Sequence, residues 1–221
     1  MRRLAALIPL AILAVPAGAT AAEVHTDRHC YLQTPKTSVT VSGSGFSPNQ
    51  PFVVALDDTA LEGGAGAIDT LGAMRGTFSP PSLRRRQPQR RFDISVTAAG
   101  VTAQTSFLVT KFLAGFSPTT GDPTRMRVRF SVHGFGLVRA NPNVYVHYVS
   151  PRGHLRRTVR LGHALGPCGT IRRTAKRRLF PFRPRGGKWR LQFDTSRRYR
   201  HGMAGSDFLF FTIGVTVRTQ R

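Results

Sequence analysis

Beyond its first two dozen residues, this chain places its apolar side chains at every second position, between turns rich in Gly and Pro. Val39 and Val41 alternate with Thr40 and Ser42. Phe92, Ile94 and Val96 alternate with Asp93 and Ser95, and Met126, Val128, Phe130 and Val132 with Arg125, Arg127, Arg129 and Ser131. Period two is the spacing of a strand with one buried face, and helical periodicity with a cap is absent here. The pattern predicts strands over 38–42, 52–56, 92–96, 102–110, 126–132, 144–149, 155–161, 189–193 and 208–217. A mature chain of about 200 residues built this way is expected to be all-β, as sandwiches.

The two halves repeat one plan. Gly45-Phe46 corresponds to Gly134-Phe135, each after an alternating strand; Gly76-Thr77-Phe78 corresponds to Gly169-Thr170-Ile171, and Phe92 to Trp189. Small loop insertions account for an offset that grows along the chain, so two related domains are expected, 23–110 and 111–221, joined near Lys111.

The N-terminus has the form of a secretory signal over residues 1–22. Arg2 and Arg3 precede the uncharged run Leu4–Val15, and small residues follow Pro16 and Gly18. That run is too short to span a bilayer core, which needs about 20 residues. No later segment is long or apolar enough to cross a bilayer, so the mature chain is expected outside the membrane, secreted or held at the cell envelope. Cleavage after Ala22 would leave Glu23-Val24-His25, a terminus able to chelate Cu(II). Cleavage after Ala21 fits the small-residue rule better and abolishes that geometry, so an untethered leader is expected there, with no metal site and no cofactor.

The stretch Val39-Thr-Val-Ser-Gly-Ser-Gly-Phe-Ser-Pro-Asn-Gln-Pro-Phe-Val-Val, with Gly76-Thr-Phe and Phe107-Leu-Val-Thr, resembles bacterial immunoglobulin-like repeats of secreted and cell-surface proteins. The likeness covers most of residues 36–110, and the second domain follows it more loosely. It implies tandem immunoglobulin-like β-sandwiches in an adhesive, spacer or wall-associated module without catalysis. The arginine load of the second half and its Gly166-Pro-Cys-Gly-Thr170 turn depart from the repeat.

Charge divides the chain unevenly. The formal net charge is +23, yet residues 23–110 carry 8 Lys or Arg against 7 acids, while residues 111–221 carry 23 against 3 (Asp122, Asp194, Asp207). Nucleotide bias can explain Arg in place of Lys, but not the scarcity of acids. By strand alternation Arg125, Arg127 and Arg129 point outward, as do Arg156 and Arg160 opposite Leu155, Val159 and Leu161, and Arg190 opposite Trp189, Leu191 and Phe193. Arg172, Arg173, Lys176, Arg177 and Arg178 add a loop-borne cluster. Crowded cations repel one another, and guanidinium suits phosphate and carboxylate. These residues are therefore the expected contact with an anionic envelope polymer, a sugar-acid chain or an anionic surface. No nucleic-acid-binding motif appears, and the protein partner is unknown.

The mature chain holds two cysteines, Cys30 and Cys168. An even count in an oxidising compartment favours a disulfide, whereas end-to-end tandem sandwiches could hold the two apart. A second reading makes Cys168 the nucleophile of a cell-wall enzyme, but Leu165-Gly-Pro-Cys168-Gly lacks the Ser/Thr-His-Gly-Cys run that would place a base beside the thiol. A third makes the chain a structural spacer or adhesion subunit. Asp57-Asp58 and Glu62 form an acidic spot suited to turn hydrogen bonding rather than acid–base catalysis. The expectation is a non-catalytic binding module.

Overall fold

The computed structural model describes residues 21–206 and 208–218; most of the expected signal peptide, residues 1–20, lies outside them. Fifteen strands make up the regular structure of the described residues. In order they are β1 (Glu23–Thr26), β2 (Cys30–Leu32), β3 (Val39–Ser44), β4 (Pro51–Leu56), β5 (Thr59–Ala67), β6 (Met74–Phe78), β7 (Gln89–Ala98), β8 (Val101–Thr110), β9 (Leu113–Ser117), β10 (Arg127–His133), β11 (Asn143–Val149), β12 (Leu155–His163), β13 (Arg177–Arg178), β14 (Gly187–Asp194) and β15 (Phe211–Val217).

The first sandwich packs sheet β1-β3-β6 against sheet β2-β8-β7-β4-β5, and the second packs β13-β10-β9 against β12-β11-β14-β15. The two share one topology: β3, β6, β4, β5, β7 and β8 of the first take the places of β10, β13, β11, β12, β14 and β15 in the second. This is an immunoglobulin-like arrangement, with the first strand divided between sheets. Here β1 pairs antiparallel with β3, and β2 crosses over to pair in parallel with β8. Residues 23–32 are thus two paired strands and not the untethered leader expected from sequence. The last strand begins at Phe211, three residues later than its apolar pattern suggested.

Each sandwich encloses its own core. Val39, Val41, Phe52, Ile94, Val96 and Phe107 are buried in the first, and Val128, Phe130, Val146, Trp189, Leu191 and Phe193 in the second. These are the alternating positions of the sequence pattern, since a pleated strand buries every second side chain. The repeat also holds, with one shift of landmark. Phe46 N–H bonds Gly72 O as Phe135 N–H bonds Gly169 O, so Gly169 corresponds to Gly72 and not to Gly76. Both glycines have positive φ, and a Cβ on Gly169 would collide with the Gly136 backbone.

Three ties join the sandwiches across a short linker. Cys30 and Cys168 form a disulfide with Cα atoms 5.3 Å apart, closing a sequence separation of 138 residues. In the loop-entropy view such a closure contributes about 5 kcal/mol. Thr170 Oγ1 donates to Gln89 Oε1 (3.1 Å), and Lys111 Nζ donates to the Arg84 and Arg85 carbonyls (2.7 and 3.1 Å). End-to-end packing does not separate the cysteines. Cys30 pairs with Leu108 near the exit of β8, and Cys168 sits in the turn that meets it.

The β1–β3 edge depends on one carboxylate. Asp27 Oδ1 accepts from Tyr31 Oη (2.7 Å) and from Thr40 N–H (2.8 Å). Partial burial works against its ionisation, but these bonds and neighbouring Arg28 outweigh it and hold the carboxyl below its ordinary range. Tyr31, buried and bonded to Asp27, is pushed up to about 12. A carboxylate depressed in the folded state contributes stability at neutral pH that is lost as pH falls through its folded pKa. Asp27→Asn should therefore flatten the acid limb of the stability profile, read by circular dichroism melts between about pH 2 and 6; an unaltered acid limb would contradict this role.

Candidate functional site

The outward row of β10 is the clearest charged feature. Arg127 and Arg129 are exposed while Val128, Phe130 and Val132 are buried. Arg127 stands directly opposite Arg178 of β13 in the antiparallel register. Like charges opposite one another on a sheet repel. The Arg127 guanidinium donates to Lys176 O (3.3 Å) and that of Arg129 to Thr174 O (3.1 Å). Carbonyl acceptors orient these cations without neutralising them.

The loop-borne cluster of Arg172, Arg173, Lys176, Arg177 and Arg178 lies on a segment, 168–179, of which only Arg177–Arg178 form a strand. The segment runs along β10 as a broken edge, through Phe135 N–H to Gly169 O, paired bonds between Val132 and Ile171, Thr174 N–H to Phe130 O, and Leu179 N–H to Met126 O. Thr174 is buried, and its hydroxyl accepts from Phe130 N–H (2.9 Å). This edge sets Arg172 and Arg173 beside the far end of the β10 row, where His133 is the last member.

That end opens into a cleft of about 740 Å³ between the sandwiches, lined by Pro88 and Gln89 of the first and by His133, His163, Leu165, Gly166, Pro167, Cys168, Thr170, Ile171, Arg172 and Arg173 of the second. His133 Nδ1 is enclosed without a hydrogen-bond partner among the described residues. Burial, and after it the Arg172 cation, pulls the His133 imidazole below its ordinary range. His163 is already engaged: Arg160 donates to its Nε2 (2.7 Å), and its Nδ1 lies 3.3 Å from Asn141 O.

Several expected contacts lie elsewhere. Arg125 precedes β10 and pairs with Asp122 (3.8 Å), whose carboxyl is held low by the Thr124 N–H and hydroxyl and by Arg125 itself. Arg156, Arg160 and Arg190 belong to the opposite sheet. Register shifts in the β11–β12 pairing leave Arg156 and Leu161 as extra residues, so Leu155 pairs with Val149 and is 42% exposed instead of inward. Arg177 crosses between the sheets and donates to Arg160 O (3.3 Å). Arg190 is half-buried, its Nη2 donating to Tyr199 Oη (2.8 Å) and lying 3.1 Å from His201 Nδ1. Cys168, in its disulfide, has no thiol to act as a nucleophile.

A polar network that the sequence did not announce lies on the outer face of that sheet. His147 is fully buried, with Thr158 Oγ1 at 2.8 Å from Nδ1 and Asp194 Oδ1 at 3.1 Å from Nε2. Asp194 also accepts from Gln192 Nε2 (2.9 Å) and Ser196 N–H (2.8 Å), and Gln192 bonds Arg200 O (2.7 Å) and Gly202 N–H (3.1 Å). The 195–206 segment covers these groups, which alternation alone would have left facing water.

No protein-family model matches the chain, and no curated protein sequence matches it. Among solved structures it is similar to the D0–D1 domain of intimin at 11% identity, covering 89% of this chain and 98% of that one with a TM-score of 0.33. It is also similar to invasin, a bacterial integrin-binding protein, at 11% identity, 90% and 39% coverage and a TM-score of 0.35. A C-terminal fragment of intimin, solved with the intimin-binding domain of its translocated receptor, shows 10% identity, 89% and 63% coverage and a TM-score of 0.34. The chain spans less than two thirds of these last two, and overlaps this loose transfer no binding property.

The buried network yields a direct test. Asp194→Ala strands His147 and the Ser196 N–H without their acceptor, leaves Gln192 only its bonds to Arg200 and Gly202, and should cost about 3 kcal/mol. Denaturant unfolding followed through Trp189, the single tryptophan, measures this; a loss within error would mean that the network carries no stability.

Proposed function

We propose that the chain is an exported, non-catalytic binding module that sits at the cell envelope and holds an anionic polymer against its second sandwich. The observation that carries this reading is Arg127 facing Arg178 across the sheet, with Arg129 beside them. Among the described residues, the ion pair of a Lys or Arg with a carboxylate in the second sandwich is Arg125–Asp122, and Asp194 lies against His147. The carboxylates there are, among the described residues, engaged by Arg125 before β10 and by His147 and Gln192 beneath the 195–206 segment. A polyanion laid along it relieves the mutual repulsion of the guanidinium groups.

Two further features favour the extracytoplasmic setting. A cystine that closes a long separation suits an oxidising compartment, and the N-terminal sequence has the form of an export signal. Among the described residues, no helix is long and apolar enough to cross a membrane.

Phosphate contacts weaken linearly with log salt, in proportion to their number. The protein should be retained on immobilised poly(glycerol phosphate) at low salt and released as salt rises. Replacing Arg127, Arg129 and Arg178 by Gln should lower the slope of log affinity against log salt by about one for each contact removed. Absence of retention at low salt, or a slope unchanged in the triple variant, would refute the proposal.

A further inference from the structure

The β10 row ends at His133, and this residue leads from the surface into the space between the sandwiches. Along an extended strand the Arg127 to His133 distance is about 20 Å, so one polymer chain can lie on the arginine row and reach the cleft. We propose that the cleft beside the Cys30–Cys168 bridge is a specific site for a phosphate group carried on a sugar or polyol, bound by Arg172, Arg173 and His133. This inference rests on the polyanion reading above and adds to it the position at which one unit of the ligand is recognised.

Four observations converge on that class of ligand. First, Arg172 and Arg173 line the cleft, are exposed, and have no carboxylate within ion-pair distance among the described residues. Second, His133 lines the cleft and adds a third group, an imidazole that makes no hydrogen bond within the protein through Nδ1, among the described residues. Three separate groups around one space suit the several oxygens of a tetrahedral phosphate, whereas a single fork-like guanidinium satisfies a planar carboxylate. Third, Pro88, Leu165, Pro167 and Ile171 give the walls apolar surface for the carbon skeleton that bears the phosphate. The volume, about 740 Å³, far exceeds a bare ion and falls in the range of small-molecule sites. Fourth, the exposed Arg84, Arg85 and Arg86 lie just before Pro88 and Gln89, and Lys111 holds the Arg84 and Arg85 carbonyls, so the first sandwich adds cations at the same junction.

The two sandwiches together make this site. The Thr170–Gln89 bond crosses the junction, and the disulfide anchors the turn that carries Cys168. Most of the lining, with Arg172, Arg173 and His133, belongs to the second sandwich, and Pro88 and Gln89 of the first complete it.

Imidazole resonances test the proposal without any polymer. The oxidised protein is titrated with glycerol 1-phosphate and, in parallel, with galacturonate, and the His133 signal is identified by its loss in His133→Gln. Saturable movement of that signal with glycerol 1-phosphate, weakened at least about tenfold in Arg172→Gln/Arg173→Gln but retained in Arg127→Gln/Arg129→Gln, supports the site. A silent His133 overturns it, and poly(glycerol phosphate) retention measured on the same sample shows whether the broader polyanion reading survives alone. Equal response to galacturonate overturns the assignment to phosphate.

Discussion

The covalent tie between Cys30 and Cys168 is the constraint from which the site geometry follows. Strand β2 leaves the first sheet to pair in parallel with β8, and this crossing brings Cys30 to the end where the chain passes into the second sandwich. There the turn carrying Cys168 is braced by Gly136 N–H on Cys168 O and by the close passage of Gly169 past Gly136. Two independently cored sandwiches on a short linker would otherwise be free to move relative to each other. The bridge, the Thr170–Gln89 bond and the Lys111 contacts hold their facing ends together, and the cleft is the space left between them.

Charge is arranged around that junction by the same folding rules that build the cores. Alternation sends Val128, Phe130 and Val132 inward and leaves Arg127, Arg129 and His133 on the other side of the strand. The 168–179 edge then sets Arg172, Arg173 and Arg178 alongside. The repulsion is tolerated because the cores and the ladder bonds outweigh it, and main-chain carbonyls hold the Arg127 and Arg129 guanidinium groups in place. Among the described residues, the acids of the second sandwich are committed elsewhere: Asp122 closes a turn, and Asp194 anchors His147 and Gln192 under the 195–206 segment.

Much of the fold was legible in sequence, because period-two alternation is a local signal. The strands holding Val39, Phe92, Val128, Val144 and Trp189 were found within a few residues of their ends, and so was the doubling of the chain. The missed elements lack that signal. Strand β5 is a Gly- and Ala-rich edge, mostly exposed on both faces and positioned by pairing with β4. β13 has two residues and exists through its bonds to β10. Leu155 defeated the pattern because β-bulges change the parity of β12, which nothing local in Leu155-Arg-Arg-Thr announces. Of the site, the outward positions of Arg127 and Arg129 could be read directly. The cleft could not, since it joins residues such as Gln89 and Thr170 that meet only after both sandwiches fold. Arg190 was misjudged for a related reason: alternation placed it outward, but Tyr199 and His201 come back over it.

The account therefore stands on a cleft that the second sandwich lines and that Pro88 and Gln89 complete where the two sandwiches are locked end to end. Isothermal titration of glycerol 1-phosphate into the oxidised protein and into the Cys30→Ser/Cys168→Ser variant is the most direct measure of it, with Trp189 fluorescence and circular dichroism showing that both sandwiches remain folded. The account predicts saturable binding to the oxidised protein and a clear loss of affinity in the unbridged one. Equal affinity in the two would contradict it.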